Sequence, residues 1–536
     1  MLLAIGGAVA VVLVIACGNV ALLTLLRGIR RRKDIAVRLA LGAQRHEVAR
    51  LLVTETAVLT AAAVLLGTLL AVGITRALAP TIEQQLGRTV PGGVSAMSID
   101  LRVVLGIAML GVFIAMLVGL APLLLTTRLR FLPALRQARA GGDSLGGRRA
   151  RFALIAIEVA GSLALLSGCG LMVRSLVRML DKDLGMDARG LVSTTISLRE
   201  QSYPDARSRA ELYARLLTSM AEVPGLTQVA LSNPSPLVSY EPQPMRADDD
   251  AATKRATLRS VSADYFAALD IPLSRGRAFT RDDRDGSPAV AIVSESAARL
   301  LWPNSDPIGR RVWMRDAQAD TLGPAKTIVG IVRDARQSPT DTVLVDLYMP
   351  VLQSGTRFAA IIAHAQVASP RLIDDVRRAV ATIDPQISVA NLEDLGVALD
   401  QQLARPRFLV LMFALFGGFA SLLGVIGLYS VIAYAVQQRE HEVAIRIAIG
   451  AGPRAIVGLF VREGMAVTAV GLVLGIVGAV NIGRLLEGQL FGVRAVDSVT
   501  LAGASAALVA AALLAVWWPA RRAALTDPAR ALRDET

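Results

Sequence analysis

Arg439-Glu440-His441-Glu442-Val443-Ala444-Ile445-Arg446-Ile447-Ala448-Ile449-Gly450-Ala451 has a counterpart earlier in the same chain, Arg32-Lys33-Asp34-Ile35-Ala36-Val37-Arg38-Leu39-Ala40-Leu41-Gly42-Ala43. In both stretches an acid and an arginine stand four residues apart, Asp34 with Arg38 and Glu442 with Arg446, which is the spacing of an i,i+4 ion pair on a helix. A glycine follows in each, Gly42 and Gly450, where a helix needs a left-handed residue to end. The pattern predicts two short, charged, amphipathic helices at 34–42 and 442–450. Glu55 and Glu463 correspond at the same offset of 408, each just inside the next apolar run. A match that extends over more than twenty positions points to a duplicated architecture.

The surroundings of the two copies are apolar. Of 536 residues 53% are hydrophobic and the mean hydropathy is +0.51, too apolar for an ordinary soluble protein and too charged for a chain that is membrane throughout. Seven runs are long enough to cross a bilayer, which takes about 20 helical residues. They lie near 2–26, 52–75, 102–127, 152–176, 407–436, 455–480 and 499–518, with a polar stretch of domain size at 180–403. The formal net charge of +13 comes from arginines beside the apolar runs with few aromatics, so topology accounts for it and nucleic acid is not expected. Cys17 and Cys169 both fall inside apolar runs and read as small packing residues.

Orientation follows from the short loops, because arginine and lysine accumulate on the cytoplasmic side. Residues 27–50 and 128–151 are arginine-rich, whereas 76–101 and 484–498 hold only two arginines each. Alternation then puts Met1 outside, 180–403 outside and both charged helices and Thr536 inside. The second unit reads as an outward span, an external domain, an inward span, the charged helix, two more spans and a basic tail. The first unit begins at its inward span, so the expected pattern lacks one span and one external domain at the N-terminus. The tails keep the phase: Pro122 with Pro519 and Arg136 with Arg533 both recur at an offset of 397. The units are therefore parallel repeats related by an axis along the membrane normal.

The external stretch mixes both periodicities and is expected to be an α+β domain in two lobes. Strands are predicted at 191–198, 227–232, 257–262, 289–294, 327–333 and 358–365, and helices at 205–222 and 371–383, with Pro204 placed for the first turn of the earlier one. The proline-rich polar segment 232–253 reads as a loop.

Little enzyme chemistry is available. Lysine occurs only at 33, 182, 254 and 326, none after a glycine, so this sequence holds no phosphate-binding G-x-x-x-x-G-K-[ST] loop. The three histidines, 46, 364 and 441, are scattered and build no zinc motif. Asp248-Asp249-Asp250 lacks the spaced oxygens and turn glycine of a calcium loop and reads as a solvated acidic loop. Neither a catalytic residue nor a cofactor site is expected. Glu55, Glu158 and Glu463 lie in apolar runs within reach of the interface, where structural pairing is the expected role. Gly424-x-x-Gly427 and Gly471-x-x-x-Gly475 permit close helix approach. A solvated helix that merely fixes topology would not need an ordered acid, arginine and glycine pattern, so the duplicated helix reads as a docking element for a two-fold symmetric soluble partner.

At these residues the sequence resembles the FtsX-like permease domain of the MacB family of ABC transporters. The two copies, 34–43 and 442–451, look like that family's coupling segments. The external part resembles its periplasmic core, notably at Gly276-Arg277-Ala278-Phe279-Thr280, Ala291-Ile292-Val293-Ser294-Glu295, Asp306-Pro307-Ile308-Gly309-Arg310 and Ile328-Val329-Gly330-Ile331-Val332-Arg333-Asp334. Two permease units in one chain is similar to the duplicated permeases of acidobacterial type. The resemblance implies a membrane α-helical fold with one α+β extracytoplasmic domain. It divides the chain into a first repeat at 1–127, a cytoplasmic basic linker at 128–151, a membrane helix at 152–179, the core domain at 180–403, a second repeat at 404–520 and a tail at 521–536. It implies an inner-membrane permease subunit without its own ATPase. The implied partners are a cytoplasmic ABC ATPase, a periplasmic adaptor or outer-membrane efflux component, and the lipid bilayer. Asp34, Arg38, Gly42, Glu442, Arg446 and Gly450 are the implied docking residues. Two alternatives stand beside it. One is a scaffold that regulates a periplasmic enzyme and moves no substrate; the other, an ion-driven transporter, is disfavoured by the lack of midplane charges and broken helices.

Overall fold

The computed structural model describes residues 2–30, 44–86, 102–109, 111–112, 145–238, 240–247, 254–314, 323–339, 345–365, 370–390 and 392–525. The chain divides into two compact units, Met1–Arg178 with Ala404–Thr536, and Met179–Leu403. The first opens with α1 (Leu2–Arg30), α2 (Arg45–Leu86) and α3 (Leu145–Leu180).

The second unit carries, in order, β1 (Leu191–Ser197), α4 (Ala206–Ala221), β2 (Leu226–Asn233), β3 (Gln243–Ala247), β4 (Lys254–Val261), α5 (Tyr265–Ala268), β5 (Leu273–Gly276), β6 (Val290–Ser294), α6 (Glu295–Leu301), β7 (Arg311–Met314) and β8 (Lys326–Val332). It continues with β9 (Asp346–Pro350), α7 (Val351–Ser354), β10 (Phe358–Ala365), α8 (Pro370–Ile383), β11 (Ser388–Val389), β12 (Glu393–Asp394) and α9 (Leu395–Gln402). The chain then returns to the first unit through α10 (Ala404–Gln438), α11 (Glu440–Ala448), α12 (Pro453–Leu486) and α13 (Ser498–Ala524).

Among the described residues six helices are long and apolar enough to cross a membrane. Of the further run expected at 102–127, residues 102–109 and 111–112 are helical and the remainder lies outside the described residues. The helix α3 is the hub: 56% of its apolar window is buried, against 28% or less in the other five. Small residues let α12 close on it. A methyl at Gly471 would stand 2.6 Å from Val159 Cβ, and one at Gly475 2.9 Å from Leu163 Cβ, so both positions have to be glycine for backbones this close.

In the Met179–Leu403 unit a single mixed sheet does two jobs. The strands β4, β3, β7, β8, β6 and β9 pair in that order, and β9 pairs back to β4 in parallel, which closes a small barrel. From β4 the sheet runs on through β2, β10 and β1 as an open lobe. The strand β10 explains its own apolar sequence. Its successive side chains point to opposite faces, so Ala359, Ile361 and Ala363 enter the core under α4 and α8 while Ala360 and Ile362 enter the core that holds α5.

The structure amends two expectations. The segment 232–253 is not all loop, because Gln243–Ala247 pairs with β4 and β7; only Met245 and Ala247 are buried there, too short an alternation to read among prolines. Pro204 stands outside α4, since Asp205 is the cap, accepting a 2.7 Å bond from the Ser208 amide. Strands β5, β7 and β9 were not predicted either; β9 begins with Asp346 and ends at Pro350, residues that normally mark a turn.

The seam that closes the barrel carries a buried charge pair. Arg259 and Asp346 are 1% and 0% exposed, with Nε 3.9 Å from Oδ1. Arg259 also donates to the Val238 carbonyl at 3.0 Å, and Asp346 accepts from Gln337 at 3.4 Å. Burial pushes the Asp346 carboxyl up to about 6, against the opposing pull of Arg259. Removing one partner strands the other charge, so Arg259→Met should cost about 3 to 5 kcal/mol in urea unfolding of the 179–403 unit. A group whose folded pKa is raised contributes stability that is full below its unfolded value and is lost as pH rises through the folded one. The contribution of Asp346 should therefore fall between about pH 4 and about pH 6, and Asp346→Asn should flatten that part of the stability profile.

Candidate functional site

The second charged stretch forms α11, between the long apolar helices α10 and α12. Its local sequence suits a helix of this polarity. Glu440 and Glu442 fill the first turn and Arg446 the last, which matches the helix dipole at both ends. Arg446 and Glu442 are paired at 2.6 Å, and both side chains are about half exposed, at 44% and 49%. An exposed pair of this kind is worth only about 0.3 to 0.5 kcal/mol, so it orders the outer face of the helix more than it stabilises the fold.

The helix ends on glycine for a geometric reason. Gly450 has φ +99°; its amide bonds to the Ile447 carbonyl, and the Ala451 amide reaches back to the Arg446 carbonyl at 2.9 Å. This is the Schellman arrangement, which satisfies carbonyls that would otherwise be orphaned. Gly452 and Pro453 then start α12 at once.

The inner face of α11 is held by packing. Val443 and Ala444 are buried, and Val443 belongs to the core that contains Phe460 and Val516. The outer face is mixed: Ile445 is 41% and Ile449 82% exposed, one turn apart beside the Glu442–Arg446 pair. Arg439, which caps the helix start, spends its guanidinium elsewhere. It donates to both carboxylate oxygens of Glu463 on α12 at 3.0 and 3.4 Å, with both side chains largely buried. A bidentate arginine–carboxylate pair fixes orientation as well as distance. The reading of Glu463 as a structurally paired acid is thus met, and its partner is the residue just ahead of the charged helix.

Of the six sequence-derived docking residues, the structure describes Glu442 and Arg446 on α11 and Gly450 in the turn that ends it. Asp34, Arg38 and Gly42 lie outside the described residues, as does Asp248-Asp249-Asp250. Glu158 differs from the expected pairing: it is 1% exposed and its carboxylate lies against Gly18 and Gly427. Neither of its carboxylate oxygens has a hydrogen-bond partner among the described residues. Missing side chains at Gly18 and Gly427 make the room for it. Among the described residues no three His, Cys, Asp or Glu side chains stand close enough to hold a metal. The role of Arg439, and the exposed Ile445 and Ile449, are not legible from sequence; the one available signal was the unexplained acid at 463.

Comparison with known proteins agrees with this architecture. The FtsX-like permease C-terminal family model matches residues 6–130 and again 414–528, and the MacB-like periplasmic core domain model matches 153–393. The chain belongs to the FtsX-like permeases that carry a MacB-like periplasmic core domain, and it is a multi-pass membrane protein. It is similar to the macrolide export ATP-binding/permease protein MacB of Azoarcus sp. (strain BH72), 24% identical over 76% of this chain and 62% of that one. It is also similar to the uncharacterized ABC transporter permease YknZ of Bacillus subtilis (strain 168), 22% identical over 62% of this chain and 82% of that one. The chain spans 62% and 45% of the lengths of two MacB relatives. Among solved structures, the periplasmic region of MacB from Actinobacillus actinomycetemcomitans matches 40% of this chain and 93% of its own, at 18% identity and a TM-score of 0.27.

Two changes test the site's construction. Gly450→Ala forces a Cβ into a left-handed residue at about 1 kcal/mol or more, so amide exchange in α11 should quicken about fivefold. Glu463→Gln removes the charge that holds Arg439, and tryptic cleavage at Arg446 should accelerate several-fold while the Met179–Leu403 unit stays resistant.

Proposed function

We propose that the chain is the permease subunit of a MacB-like ABC export or mechanotransmission system, and that α11 is where an ATP-hydrolysing partner docks. The observation that carries the reading is the outer face of α11. Two exposed isoleucines beside an ordered ion pair sit on a helix fastened by Arg439–Glu463 and stopped by Gly450. A solvated topology marker needs none of these; a lever that must transmit a push needs all of them. The recurrence of the pattern at Asp34, Arg38 and Gly42 supports a partner with two similar surfaces.

On this reading residues 1–127 and 404–520 are the two permease repeats, and 180–403 is the extracytoplasmic domain whose movement is driven. The arginine-rich loops and both charged helices face the cytoplasm, and the membrane is the bacterial inner membrane. Energy comes from the partner's ATP hydrolysis, because this sequence contains no phosphate-binding loop of its own. A periplasmic adaptor or outer-membrane efflux component completes the system. The chain leaves the domain directly into α10 and passes from α10 into α11, so displacement of α11 has a route back to it along α10.

The test is co-purification of the detergent-solubilised chain with the nucleotide-binding subunits of its own organism. Ile445→Asp with Ile449→Asp should abolish capture of an ATPase, and Glu442→Ala with Arg446→Ala should weaken it about tenfold. Val473→Asn, on the exposed membrane face of α12, should leave capture unchanged. Retention of the ATPase by the double isoleucine variant would remove α11 from the docking surface.

A further inference from the structure

Beside the Arg439–Glu463 pair lies a cavity of about 580 Å³ between the start of α3 and the first turns of α12. Its polar end is lined by Arg148, Arg439, Arg462 and Glu463, and its walls by apolar side chains that include Phe152 and Val470. Three guanidinium groups face one carboxylate. Because Glu463 is engaged on both oxygens by Arg439, it leaves the other two arginines to whatever enters. Arg148 stacks over the Phe152 ring at 5.6 Å, and neither Arg148 nor Arg462 has a carboxylate partner among the described residues.

The depth of this cavity is marked by aromatic residues. Gly464 packs on Val516, where a methyl would stand 2.6 Å from its Cγ2, so Arg462 and Glu463 are level with Trp517 and Trp518 of α13. Those tryptophans are half-exposed and carry Arg521 and Arg522 over their rings at 5.0 and 5.5 Å. Tryptophan beside arginine at the end of an apolar helix marks the headgroup level of a bilayer. From there α12 presents Val470, Val473, Leu474 and Val477 as exposed apolar side chains. Arg462 to Val473 is about 16 Å along the helix, roughly half of a 30 Å hydrocarbon core, the depth of one leaflet.

We propose that this groove binds an anionic phospholipid, with its phosphate between Arg148 and Arg462 and an acyl chain along the exposed face of α12. The inference needs only that these helices cross a bilayer. A free phosphate would satisfy the arginines and leave the apolar walls without an occupant; a zwitterionic lipid would cover the walls and bring no net charge to the two spare guanidiniums. The lipid matches both ends. Its headgroup also rests on the same pair that fastens α11, so an occupied groove shields Arg439–Glu463 from water and strengthens it.

The experiment is native mass spectrometry of the full chain, delipidated in detergent and titrated with phosphatidylglycerol or phosphatidylcholine. One phosphatidylglycerol should bind at least tenfold more tightly than phosphatidylcholine. Arg148→Gln with Arg462→Gln should erase that preference, each single change giving an intermediate value, while Arg484→Gln at the far end of α12 should not alter it. Equal binding of the two lipids, an unchanged preference in the double variant, or displacement of phosphatidylglycerol by millimolar inorganic phosphate would each overturn the assignment. Should the double variant aggregate, the two single variants decide the matter on their own.

Discussion

A backbone that crosses hydrocarbon has to satisfy its own polar groups, and the architecture of the first unit answers to that constraint. Each crossing is a helix, and helices in lipid gain no hydrophobic energy from meeting, so their contacts depend on fit. Fit is supplied here by glycines. Gly471 and Gly475 bring α12 against Val159 and Leu163 of α3, and α3 becomes the most enclosed of the described crossings. The same logic makes room for Glu158 between Gly18 and Gly427.

Unlike Glu158, the charges of Arg439, Glu442, Arg446 and Glu463 lie near helix ends, where they are used for position. The charged helix α11 is neither a crossing nor a loop: one face is tied into the apolar core through Val443 and the other is open. Its ends are fastened by different means. At the start Arg439 reaches across to Glu463, and at the finish the left-handed Gly450 turns the chain at once into the next crossing. Neither device is needed to mark topology, since a plain cluster of arginines does that. Together they make a short rigid body whose exposed face, Ile445, Ile449, Glu442 and Arg446, keeps a defined orientation.

The extracytoplasmic unit solves a different problem, that of joining an open α/β lobe to a closed barrel through one sheet. Parallel pairing of β4 with β9 closes the ring, and the Arg259–Asp346 pair sits at that seam in full burial. A buried pair is a weak source of stability, because desolvation offsets most of the attraction. What it does enforce is register, since a slip of β9 by one residue would turn Asp346 to the other face and leave Arg259 alone.

The extent to which this molecule is readable from its sequence varies with the range of the interaction. Periodicity suffices for the second charged helix, the described apolar crossings and the main strands, because each depends on residues near in sequence. The i,i+4 spacing of Glu442 and Arg446 and the terminal Gly450 are local, and the structure shows them as a bonded pair and a helix stop. Strand β3 was hidden by prolines, β9 by the Asp and Pro at its ends, and the cap of α4 by a proline beside a better-placed Asp205.

Composition, hydropathy and the repeat thus determined by themselves that this is a duplicated membrane protein with one large aqueous domain, since those properties are sums over neighbouring residues. Only the tertiary structure decided that Arg439 belongs to Glu463, that Arg259 belongs to Asp346, that Glu158 is enclosed between glycines rather than paired among the described residues, and that Arg148 and Arg462 line one groove. The physical reason is that each of these depends on segments far apart in the chain meeting at a few ångströms, and that meeting is set by how whole helices and strands pack.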